Sequence, residues 1–125
     1  MKIVLKTMVG LIALLFIVLW LRWMVQPEVM ATQWALTATG PAGLNNLRGD
    51  IGGLFLMSAV FCGIYLLRGN AMWLRAAATG MACVVVGRIT GLVVDGFNQA
   101  ALVSAILEVI FITVFLATAS LSSKS

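Results

Sequence analysis

Residues 99–119, QAALVSAILEVIFITVFLATA, decide the fold: 21 consecutive residues carry a single charge, Glu108, near their centre. A helix of about 20 mainly apolar residues spans the hydrocarbon core of a bilayer. A lipid environment also obliges every backbone amide to find its partner within the segment, which leaves helix as the form for such a run. Three more runs of this kind lie upstream, at residues 3–25, 49–67 and 71–94, and none of the four contains proline. The reading is therefore all-α, a membrane-spanning antiparallel four-helix bundle, with one domain over residues 1–125.

Composition agrees. The chain is 62% hydrophobic and 10% charged, against about a quarter charged in a soluble domain. Mean hydropathy is +1.12. The net charge of +4 comes from Lys and Arg residues placed mostly at the ends of the apolar runs. Membrane orientation explains that placement, and no polar stretch interleaves aromatic with basic residues, so nucleic acid is not expected as a partner. The basic start, Lys2 and Lys6, resembles the head of a signal peptide, but the apolar run continues to about Val25. A signal-peptide core has about 7–15 apolar residues, so a retained first helix is expected.

The two cysteines, Cys62 and Cys83, both fall within apolar runs and form no CxxC pair. They read as reduced packing residues. There is no histidine, which removes the usual haem ligand and the usual transition-metal ligand. No metal site, no cofactor and no catalytic residue is predicted.

The first connection, residues 26–48, is the long one. Pro27 suits the first turn of a helix, and Glu28 suits its positive N-terminal end. Residues 28–37 mix Val29, Met30, Trp34 and Leu36 with Thr32, Gln33 and Thr37, which predicts a short helix at the membrane interface. Gly40-Pro41 is expected to end it. The other connections, at 68–70 and 95–98, are tight and make sequential helices antiparallel neighbours. With the N-terminus inside, the inner side carries Lys2, Lys6, Arg68, Arg75 and Lys124, and the outer side Arg22, Arg48 and Arg88. Five against three predicts both termini in the cytoplasm. Trp20, Trp23 and Trp34 then mark the outer interface, and Tyr65 and Trp73 the inner one.

This topology collects the remaining charges in the outer half. Arg48 and Asp50 stand at the start of the second span and Asp95 at the end of the third. Arg88 lies about 9 Å below that end, and Glu108 about 14 Å down the fourth span, at 1.5 Å per residue. A carboxylate at that depth must be paired, hydrogen-bonded or protonated, and Arg88 is its best candidate partner. Gly52 and Gly53 in the second span, and Gly87 and Gly91 in the GRITG stretch at 87–91, are small residues of the kind that let helices approach closely. The cluster Arg48, Asp50, Arg88, Asp95 and Glu108 reads either as a packing device or as a site for a ligand or a proton. The first span, without an acid, reads as an anchor.

The stretches LRGDIGGLF at 47–55, GRITGLVVDG at 87–96 and Leu107-Glu108 resemble a family of short bacterial four-helix membrane proteins classed as a domain of unknown function. The resemblance runs from about residue 5 to 120. It rests on Arg48, Asp50, Gly52, Gly53, Gly87, Arg88, Asp95, Gly96 and Glu108. It implies a bacterial inner membrane and a four-helix bundle, and it brings no activity with it.

Three functions remain to be weighed. A non-enzymatic accessory protein would bind a lipid or small apolar ligand, with Phe55, Met57, Phe111 and Phe115 lining a groove, or would join a larger membrane complex or a second copy of itself. A small proton-coupled transporter would use Glu108, although in small multidrug exporters the acid lies in the first helix. A lipid-modifying enzyme is the weakest reading, because Ser58, Ser104 and the threonines lack a histidine base.

Overall fold

The computed structural model describes residues 1–123; Lys124, counted above toward orientation, lies outside the described residues. The protein is all-α. Its elements are α1 (Lys2–Val25), α2 (Pro27–Gln33), α3 (Gly40–Asn46), a π-helical segment (Leu47–Gly52), α4 (Gly53–Arg68), α5 (Met72–Val94) and α6 (Gln99–Ser123). Four helical runs are long and apolar enough to cross a membrane: Lys2–Val25, Gly40–Arg68, Met72–Val94 and Gln99–Ser123. This is a multi-pass membrane protein.

The second span departs most from expectation. Gly40-Pro41 opens a helix rather than closing one: Pro41 sits in the first turn of α3, where its missing N–H is no loss. From there α3, the π-helical segment and α4 run on as one span of 29 residues. The end of α2 is made instead at Ala35, which takes φ 56°. The Leu36 amide donates to the Ala31 carbonyl and the Ala35 amide to the Thr32 carbonyl, the double closure of a Schellman motif that glycine ordinarily makes. Pro27 does occupy the start of α2, with Glu28 in its first turn.

Internal contacts divide the chain into two compact units, one comprising Leu11–Val60 and the other Met1–Gly10 with the chain from Phe61 onward. In the first, Trp23, Met30 and Ala31 are buried and Leu19, Met24, Leu47, Ile51 and Phe55 pack around them. A run of rings binds α1, α2 and α4 there: Phe16 against Phe55 at 5.7 Å, Phe55 against Trp34 at 5.7 Å, and Trp34 against Trp23 at 5.6 Å. The last two contacts are edge-to-face, the arrangement that ring quadrupoles favour. Along α1 in this unit, Ile12, Ala13, Phe16 and Trp23 are buried, on one face at helical spacing. The first helix is thus part of a core and more than an anchor. Trp23, read from sequence as a membrane-interface residue, is fully buried because α2 and Trp34 fold over it.

In the second unit α5 and α6 form an antiparallel hairpin. Its turn holds Gly96 at φ 105°. The seam is a helical stripe on each side: Leu74, Ala77, Ala78 and Met81 on α5, and Ala105, Val114, Phe115, Thr118 and Ala119 on α6. Cys62 and Tyr65 of α4 are also buried. Tyr65 shares a hydrogen bond with the Ser122 hydroxyl on α6, so it too is a core residue and not the interfacial anchor its position suggested. Trp73 packs on Phe61 at 5.4 Å.

Candidate functional site in the α5–α6 hairpin

Carried on at helical spacing, the apolar stripe of α5 reaches Arg88 seven residues after Met81. The stripe of α6, followed back from Phe115, reaches Glu108 at the same interval. Positions seven apart share a helix face, so the seam is apolar at one end and charged toward the loop. There the Arg88 Nε donates to both Glu108 carboxylate oxygens at 2.9 Å. Among the described residues no other Lys or Arg pairs with a carboxylate. The pair is only partly enclosed: the side chains keep 28% exposure for Arg88 and 13% for Glu108.

The surroundings are apolar. Val86, Ile89, Val93 and Val94 on α5 and Ile106, Leu107, Val109 and Ile110 on α6 are all exposed. Threonines add no free donors, because the Thr90 hydroxyl donates to the Val86 carbonyl and that of Thr113 to the Val109 carbonyl. Hydroxyls in apolar helices commonly fold back on the preceding turn in this way. Ser58, weighed above as a nucleophile, is buried and donates to the Leu54 carbonyl. Among the described residues no three His, Cys, Asp or Glu side chains come together to hold a metal ion.

The other members of the predicted cluster have separate surroundings. Asp95 is exposed at the C-terminal cap of α5, and its carboxylate folds back over Gly91: a Cβ there would lie 3.7 Å from Oδ2. In the other unit, the Arg48 Nε donates to the Met24 carbonyl at 3.2 Å. Met24 is in the last turn of α1, where carbonyls lack an intrahelical partner and the helix dipole favours a cation. Arg48 is a cap for α1. Asp50 lies in the first turn of the π-helical segment and is exposed.

The four glycines also part ways. A Cβ on Gly52 would stand 2.7 Å from the Met24 methyl and 3.3 Å from the Trp23 Cβ, so Gly52 is a true close-approach position. At Gly53 and Gly87 a Cβ would meet nothing within 4 Å, and at Gly91 only the side chain of Asp95. Among the described residues, no atom of another helix lies within 4 Å of a Cβ built at any of these three. Of the aromatic residues expected to line a groove, Phe115 is buried, and Phe55 packs against Phe16 and Trp34. Sequence reading missed Ala35 and the burial of Trp23. The signal available was Trp34, an aromatic at the end of a short helix beside the tryptophans of α1.

No family model matches this chain, and neither does any curated protein or solved structure.

Proposed function

We propose that this membrane protein works without catalysis, as an accessory or binding protein whose recognition surface is the loop end of the α5–α6 hairpin. The observation that carries the reading is the Arg88–Glu108 pair, set in an apolar stretch yet left partly open. A pair kept only for packing does best when sealed, with its remaining hydrogen-bonding capacity met by the protein. An ionisable group within a membrane span is otherwise retained for a function. We place the protein in a bacterial inner membrane with both termini cytoplasmic, in line with the family resemblance and the distribution of basic residues; the loop end of the hairpin then faces outward.

Native mass spectrometry of the protein released from lipid nanodiscs tests the reading. The parent should carry bound lipid or protein mass that Arg88→Gln and Glu108→Gln lose while keeping their helicity. Equal bound mass in all three would remove the site from the function.

A proton-coupled transporter is the second reading, favoured by the position of Glu108 in the middle of a span and by its residual exposure. It requires the Arg88 bond to break in each cycle. Proteoliposomes under a pH gradient decide it: transport by Glu108→Gln at the parental rate ends that reading.

A further inference from the structure

We infer that the partner of this surface is a second copy of the chain, with two hairpins packed across Gly87 and Gly91 and each Arg88 reaching the other copy's Glu108. The inference rests on the reading above, that the loop end of the hairpin is a binding surface.

The first ground is donor accounting. A guanidinium has five N–H donors and no acceptor. Arg88 uses Nε on Glu108, and among the described residues its two terminal nitrogens make no hydrogen bond. The Arg88 backbone lies about 10 Å below that of Asp95 along α5, within a span where lipid tails supply no acceptor. Glu108 is the mirror case: each carboxylate oxygen receives one bond from the same N–H, and each has room for another.

The second ground is charge. Arg88 and Glu108 together are neutral. A lipid phosphate drawn to Arg88 would stand beside the carboxylate of Glu108, so an anion gains little. Another hairpin presents both signs on one face. A twofold axis sets Arg88 against Glu108 twice, as an isologous interface requires, and turns one bifurcated bond into a closed ring of charge-assisted bonds.

The third ground is access. Gly87 precedes Arg88 in sequence and is exposed, with open space where a Cβ would be. Gly91 is one turn further on, covered only by Asp95. Cys83 and Thr90 lie on the same side of α5 as Gly87 at helical spacing, and both are exposed. Backbones can approach closely along such a strip, and the carboxylate of Asp95 can swing clear.

The chain carries its own reporter. Cys83 is exposed one turn from Gly87, and Cys62 is buried and serves as an internal control. Copper-phenanthroline oxidation of the full-length protein in lipid nanodiscs and in native membranes should give a disulfide-linked dimer. The dimer should vanish in Cys83→Ala and persist in Cys62→Ala. Gly87→Leu, which blocks the strip and leaves the Arg88–Glu108 bond in place, should lose most of it. Arg88→Glu should lose it as well, and adding Glu108→Arg should bring it back. Circular dichroism on each variant verifies that the helices are intact. A crosslink that survives Gly87→Leu at the parental level overturns the inference, as does a monomer at every protein concentration by native mass spectrometry. A monomer that holds phospholipid in an Arg88-dependent way overturns the second copy and leaves the binding surface standing. A monomer that holds nothing ends both.

Discussion

Ala35 shows how a single residue can carry strain that its neighbours repay. Its left-handed backbone closes α2 and brings Trp34 against Trp23 and Phe55. A side chain in that conformation costs about 1 kcal/mol or more relative to glycine. Ala35→Gly should therefore raise stability by about 0.5–1 kcal/mol after the added freedom of the unfolded chain is counted. Thermal unfolding in detergent, followed by circular dichroism, checks this; a lower midpoint would mean that the Ala35 methyl contributes packing of its own. The charged pair makes a second prediction at this scale. Arg88→Leu strands a carboxylate in an apolar seam and should cost on the order of 3 kcal/mol, whereas Arg88→Leu with Glu108→Leu should return to within about 1 kcal/mol of the parent. A double variant as unstable as the single one would show that the two side chains stabilise the fold independently.

Among the elements, the junction of the π-helical segment with α4 sets two adjacent glycines in opposite environments. Gly52 faces Met24 and Trp23 at close range, and Gly53 faces open space. Gly52→Leu should destabilise by about 1–3 kcal/mol, the usual cost of overpacking. Gly53→Ala should be neutral or stabilising by up to about 1 kcal/mol, because alanine is the better helix former. Parallel melts of the two variants separate the cases, and equal effects would contradict the packing described for α1. The contact between α4 and α6 supplies another test. Tyr65→Phe removes the bond to Ser122 and keeps the ring, so the expected loss is about 1 kcal/mol.

At the scale of the whole molecule, four crossings require the two termini to lie on the same side of the membrane. Reporter tags at the N- and C-termini should agree, and protease should reach both tags from one face. Tags on opposite faces would contradict four crossings. The spans were legible because long apolar runs admit one solution in lipid, and the hairpin because a connection as short as 95–98 leaves α6 no partner nearer than α5. The site was legible only in part. Glu108 announced itself as the one charge in its run, and Arg88 as the outer-half cation nearest to it in depth. Arg48, Asp50 and Asp95 were grouped with them because all five fall in the outer half, and in the structure Arg48 caps α1 and Asp95 folds over Gly91. Depth is a linear coordinate along each span, and it carries no information about which face a side chain takes.

By itself, then, the sequence determined that the chain is helical, that it crosses a membrane four times, and that an acid and a base lie within its spans, because hydropathy and charge act residue by residue in a solvent that forbids unpaired backbone. The tertiary structure alone decided that Trp23 and Tyr65 are core, that Gly52 is crowded where Gly53 is open, and that Arg88 binds Glu108 with its terminal nitrogens unused. Those outcomes depend on helix rotation and on side-chain shape across a seam, and two sequences of equal hydropathy can differ in every one of them.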